Sequence, residues 1–127
     1  MAILIVDDDP GILNAFEISL ATKGYHIISA QNGRQALRII KSSLKGAEPV
    51  NVMLADFLMP GMNGLELILS ARKIKPDLEF ILMTAYGNNT VKQKALKLGI
   101  GRYIEKPFTP DSLLKMIEIL NSKINSG

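Results

Sequence analysis

Asp56 has the least ordinary setting in this chain. It closes an apolar run made by Val50, Val52, Met53, Leu54 and Ala55, and Pro60 and Gly61 force a turn shortly beyond it. A carboxylate at the end of a buried strand shifts its pKa or needs a partner. Other apolar runs deliver candidates: Asp7, Asp8 and Asp9 follow the first, Thr84 the fourth and Lys106 the fifth. The second ends at Ser29 and Ala30 and adds nothing obviously chemical. Two carboxylates about 5 Å apart repel by about 3 kcal/mol at an effective dielectric near 20, so converging acids require protonation or a cation. Carboxylates, a main-chain carbonyl and waters form a suitable octahedral set for magnesium, whereas the lack of Cys and of a well-placed His argues against zinc. Lys106 adds a mobile positive charge and Thr84 a hydroxyl donor. This set suits transfer of a phosphoryl group onto Asp56, the in-line nucleophile, to give an acyl phosphate.

Such a set exists only if the fold gathers the run ends on one edge. Ala2–Val6 is short, β-branched and apolar, as in a strand covered on both faces. Pro10 suits a first helical position with Asp8 or Asp9 as cap, and Ile12, Phe16 and Leu20 define a face up to Lys23 and Gly24. Residues 25–29 read as the second strand, and Asn32 opens a helix faced by Leu37, Ile40 and Leu44. After the strand ending at Asp56, Asn63 and Glu66 have the spacing of a capping box, and Leu65, Ile68, Leu69 and Arg72 carry the third helix to Lys75. Residues 78–83 form the fourth strand. A polar cluster from Gly87 to Thr90 opens a fourth helix with a thin face of Val91, Ala95 and Leu98. Residues 101–104 form the fifth strand, and Thr109 with Pro110 caps a last helix faced by Leu113, Ile117, Leu120 and Ile124. Five strands alternating with five helices predict one doubly wound α/β domain over residues 1–127, with a five-stranded parallel sheet and helices on both faces. Parallel strands put their carboxyl ends on one edge, where ligands bind.

The composition excludes other classes. The 127 residues carry no Cys, which removes disulfide frameworks and thiolate metal sites. No apolar run is long enough to span a membrane and the N-terminus shows no signal-peptide pattern, so a cytoplasmic location is expected. The net charge of +3 comes from scattered basic residues without interleaved aromatics, so no direct nucleic-acid binding is expected. His26 reads as an exposed strand residue without a catalytic part.

The acidic cluster Asp7–Asp9, the Asp-x-x-Met-Pro-x-x-x-Gly run from Asp56 to Gly64, the Thr84-Ala85 pair and the Tyr-x-x-Lys-Pro-Phe run from Tyr103 to Phe108 resemble the receiver domain of two-component response regulators. The resemblance covers nearly the whole chain. It implies a flavodoxin-like fold with strand order 2-1-3-4-5 and a cis Lys106–Pro107 bond. It also implies Asp56 as phosphoacceptor, Asp7 and Asp8 as an acidic pair serving Mg2+ (Asp8 directly), the Leu58 carbonyl as a further metal ligand, and Lys106 on the phosphoryl group. Thr84 and Tyr103 would form a coupled switch acting on the fourth helix, fifth strand and fifth helix. The implied partners are a histidine kinase or histidine phosphotransfer protein and a downstream protein or output domain, with a phosphorylation-dependent dimer among the assemblies allowed. Such a chain is not an enzyme beyond promoting its own phosphorylation and dephosphorylation.

Departures from the family pattern are few. Ile100 stands where a small residue is usual. Leu58 and Tyr86 occupy positions that tune phosphoryl lifetime, and apolar Leu58 offers nothing to orient an attacking water, so slow self-dephosphorylation is expected. Lys92, Lys94, Lys97 and Arg102, with Glu105 as the one acid among them, read either as a basic output face or as a solvated helix surface. Three rivals fare worse. A flavin module would want a Ser/Thr/Gly-rich phosphate loop where this chain has three acids. An Asp-nucleophile phosphatase would want an Asp-x-Asp pair, which Asp56-Phe57-Leu58 lacks. A relay or binding scaffold without its own output remains the alternative, although a degenerate scaffold would have lost an acid or the Lys.

Overall fold

The computed structural model describes residues 2–46, 48–85, 88–100 and 102–126, with side chains as far as residue 122. Its elements run β1(Ala2–Val6), α1(Pro10–Ala21), β2(His26–Ala30), α2(Gly33–Ser43), β3(Val50–Asp56), α3(Gly64–Ile74), β4(Glu79–Ala85), α4(Asn89–Lys97), β5(Tyr103–Lys106) and α5(Pro110–Ser126). The five strands form one parallel sheet in the order β2-β1-β3-β4-β5. This is the flavodoxin-like arrangement.

β1 and the middles of β3 and β4 are apolar because both faces are covered there, and successive side chains divide between two cores. Leu4, Val6, Met53, Ala55, Phe80 and Leu82 pack towards α2, α3 and α4. Ile3, Ile5, Val52, Leu54, Ile81 and Met83 pack with Leu13, Phe16 and Leu20 of α1 and Leu113, Ile117 and Leu120 of α5. The order reverses between β1 and β3, so their carboxyl ends flank a crevice that no crossover fills.

Each helix starts on a polar cap. Asp9, rather than Asp8, accepts from the Gly11 amide at 2.9 Å. Asn32 accepts from Gln35 N and Asn88 from Val91 N. Asn63 and Glu66 complete the capping box, and the Thr109 hydroxyl accepts from Ser112 N.

Several boundaries and faces differ from the sequence reading. β2 starts at His26 and includes Ala30, and β4 continues through Thr84 to Ala85. β5 covers Tyr103–Lys106, because β4 sets its register by pairing Leu82 with Tyr103 and Ala85 with Lys106. Leu13 replaces Ile12 on the buried face of α1. Gly33, Ala36 and Ile40 bury the face of α2, whereas Leu44 lies beyond the helix and is 51% exposed. Leu67 and Ala71 join Leu65 and Ile68 under α3, leaving Leu69 at the surface. The Ile124 side chain, Tyr86, Gly87 and Gly101 lie outside the described residues. Among the described residues no helix is long and apolar enough to cross a membrane.

Candidate functional site

β1 and β3 end side by side, Val6 pairing with Ala55, and this pairing sets Asp7 beside Asp56. Asp7 is 1% and Asp56 7% exposed, while Asp8 lies in the open. One oxygen from each of Asp7, Asp8 and Asp56 falls within 4.8 Å of the others. The Lys106 ammonium, delivered by the end of β5, donates to Asp56 Oδ2 at 3.0 Å and Asp7 Oδ2 at 3.3 Å. Asp7 is further held by the Asp9 amide at 3.0 Å, and Asp56 Oδ1 receives the Leu58 amide at 3.4 Å.

Burial pushes the Asp7 carboxyl above its usual range, and the nearby Asp56 charge adds to this, against the Asp9 amide and Lys106, which lower it. Burial alone would lower Lys106, but the hydrogen bond and charge of Asp56, and then those of Asp7, hold its ammonium above the ordinary value. Three acids against one ammonium leave a net negative, partly buried pocket. Its oxygen donors fit a hard divalent cation.

Two neighbours complete the edge. The Thr84 hydroxyl is buried and has no hydrogen-bond partner among the described residues. An orphan hydroxyl of this kind costs about 1–3 kcal/mol, and so it marks a place where a ligand oxygen would be welcome. Beside Lys106 an apolar groove of about 430 Å³ is lined by Ile12, Phe16, Ala85, Pro107 and Phe108, with the Phe16 and Phe108 rings stacked 5.3 Å apart. The loop after β3 is placed by Gly64, where a Cβ would stand 2.6 Å from the Asp56 carbonyl oxygen. Lys106–Pro107 is the cis bond that the resemblance implied.

The family described as response regulator receiver domain matches residues 3–118. The chain belongs to that family. Its resemblance to solved receivers extends to the backbone. A CheY-like receiver domain protein from Methanospirillum hungatei is 34% identical with a TM-score of 0.86, covering 99% of this chain and 98% of that one. The response regulator TrrA from Thermotoga maritima, in complex with Mg(2+)-BeF, is 33% identical with a TM-score of 0.79, covering 94% and 97%. The transcriptional regulatory protein GlrR of Escherichia coli is 30% identical over 116 residues, which is 91% of this chain and 25% of that protein. The response regulator SaeR of Staphylococcus aureus is 28% identical over 122 residues, 96% of this chain and 51% of that protein. The chain thus spans about a quarter of GlrR and about half of SaeR.

The structure brings Asp7, Asp8, Asp56 and Lys106 together as the motif spacing anticipates, and Thr84 lies one residue before the end of the neighbouring β4. Leu58 follows on the loop with its side chain 67% exposed. Tyr103 sits on β5, half-buried against the core. Of the two readings of these basic residues, an output face or a solvated surface, neither covers all four. Lys92 is ion-paired with Glu105 and lies over the Tyr103 ring, and Arg102 pairs with Glu79 at 2.9 Å, while Lys94 and Lys97 are exposed. No sequence period signals these pairs, because each joins two different elements. His26 is exposed as expected and faces Glu48 at 2.8 Å.

Proposed function

We propose that the chain is a phosphorylation-activated switch in which Asp56 accepts a phosphoryl group from a partner histidine kinase or histidine phosphotransfer protein. The carrying observation is the grip of Lys106 on the Asp7 and Asp56 carboxylates at the carboxyl edge. A carboxylate oxygen of Asp56 attacks phosphorus in line; the bond from phosphorus to the donor breaks, and the donor keeps the electron pair. Lys106 follows the charge from the carboxylate to the phosphoryl oxygens. Mg2+ held by Asp7, Asp8, Asp56 and the Leu58 carbonyl would supply the remaining neutralisation of those oxygens. The Thr84 hydroxyl then gains the acceptor it lacks. The apolar groove between α1 and the segment after β5 offers the donor protein a contact surface next to Lys106.

The output is a change of packing rather than a catalysed reaction. Phosphorylation adds roughly −1.5 to −2 charge and strong acceptor oxygens. Thr84 is drawn towards them, the Tyr103 ring turns into the space behind it, and the surface of α4, β5 and α5 shifts. Return to the resting form is slow, because the exposed Leu58 side chain has no group with which to orient water. The receiver acts in the cytoplasm on a downstream protein or an attached output domain.

Intact mass after incubation with Mg2+ and acetyl phosphate tests this reading. A single phosphoryl adduct is expected, absent from Asp56→Asn and from chelated samples. Absence of an adduct from the folded parent chain, or its survival in Asp56→Asn, overturns the assignment.

A further inference from the structure

Lys92 stands in the first turn of α4 with its Nζ 5.0 Å from the centroid of the Tyr103 ring. The same ammonium is ion-paired with Glu105, two residues along β5 and therefore on the same face of that strand. Neither charge is freely solvated: the side chains are 17% and 27% exposed. The other end of α4 is fastened differently. Ile100 is 3% exposed within the core, and Arg72 of α3 donates to the Leu98 carbonyl at 2.7 Å while its guanidinium lies 5.6 Å from the Phe80 ring centroid. Within the helix itself only Val91 and Ala95 are buried. α4 is therefore fixed at its C-terminal end by packing and Arg72, while at its N-terminal end the Lys92 charge adds a tie beside the buried Val91 and the Asn88 cap.

We propose that Lys92 is a positioning residue for the switch. Its ammonium, steadied by Glu105, holds the Tyr103 ring half-exposed between α4 and β5, and inward rotation of that ring requires this grip to be released. The inference rests on the phosphoacceptor reading, since phosphorylation is what recruits Thr84 and opens the space. A cation over a partly exposed aromatic face shifts an equilibrium by about 2- to 5-fold. Lys92 thus sets the resting bias of the switch without touching the phosphoryl group.

The test follows the Tyr103 ring resonances in the full chain, labelled at tyrosine, assigned with Tyr103→Phe and titrated with beryllofluoride in Mg2+. Lys92→Met keeps the apolar stem and removes the charge, whereas Lys92→Arg keeps the charge. In Lys92→Met the resting Tyr103 signal is expected to move part of the way to its beryllofluoride-saturated position, with the titration midpoint lowered about 2- to 5-fold. Lys92→Arg is expected to stay near the parent. Should Lys92→Met fail to fold, Lys92→Gln carries the same readout. A charge-free variant whose signal and midpoint match those of a responsive parent overturns the role of Lys92 and leaves the phosphoacceptor reading standing. A parent that shows no beryllofluoride response overturns the phosphoacceptor reading, and the role of Lys92 falls with it.

Discussion

Lys106→Met removes the only ammonium that contacts Asp7 and Asp56 among the described residues, and its effect on stability follows from the pocket's charges. At 3.0 and 3.3 Å each attraction amounts to about 5 kcal/mol at an effective dielectric near 20, against repulsions of at least about 3 kcal/mol for carboxylate oxygens within 4.8 Å. Desolvation of the ammonium and water reaching a side chain that is 30% exposed cancel most of this. A net loss of about 1–2 kcal/mol remains for the metal-free protein. With an unfolding entropy of about 2.1 cal/mol/K per residue over 127 residues, that loss lowers Tm by about 4–7 °C. Asp56 and Asp7 raise the folded-state pKa of Lys106, so its contribution is fully present below the unfolded value near 10.4 and is lost only as pH rises through the higher folded one. Measurement at neutral pH therefore captures all of it. Mg2+ should restore much of the lost stability in Lys106→Met and should stabilise the variant more than the parent, because the cation takes over the ammonium's role. Thermal unfolding followed by circular dichroism, in chelator and in Mg2+, reads both effects. Equal Tm values in chelator, or a larger Mg2+ effect on the parent, would refute the charge account of the pocket.

Thr84→Val keeps the side-chain shape and removes the unpaired hydroxyl, so denaturant unfolding should show a gain of up to about 1 kcal/mol while the spectral response to beryllofluoride weakens. Gly64→Ala forces a Cβ to within 2.6 Å of the Asp56 carbonyl oxygen. The variant should lose about 1–3 kcal/mol and accept phosphoryl groups from acetyl phosphate more slowly than the parent. Leu58→Asn places a hydrogen-bonding group on the exposed loop beside Asp56. If it orients water with about 1 kcal/mol of advantage, the half-life of the purified phosphoprotein shortens about fivefold, and an unchanged half-life would remove Leu58 from the account of slow loss.

The layering of this fold is legible because β1 and the middles of β3 and β4, residues 52–55 and 80–83, are apolar runs that only a sheet covered on both faces accommodates. The polar starts of the helices are legible for a related reason: Asp9, Asn32, Asn63, Asn88 and Thr109 each satisfy backbone amides that the helix leaves unpaired. The helix faces are less so. In α2 the large residues Leu37, Ile40 and Leu44 suggest one stripe, yet the small Gly33 and Ala36 lie against the interior with Ile40. A stripe weighted by side-chain size rotates away from close-packed small residues, which a pattern of apolar bulk undercounts. The edge strand β5 misleads for another reason: its four residues take their register from β4, and nothing within them fixes where pairing begins.

The site divides in the same way between what a strand end announces and what only docking creates. An acid directly after an apolar run is conspicuous because charge is costly there, so Asp7 and Asp56 stand out before any fold is known, and Lys106 follows one residue beyond the end of its run, after Glu105. Thr84 does not, since a threonine ends many strands; its burial without a partner is what sets it apart. Lys92 is further still from legibility. On the helix alone it looks like one solvated lysine among three, and it acquires a role only when α4 lies against β5 and brings its ammonium to Tyr103 and Glu105. The chemistry of the acceptor is thus written at strand ends, where local sequence carries it. The bias of the switch depends on contacts between elements, so receivers with the same acceptor residues are free to differ in how readily they turn on.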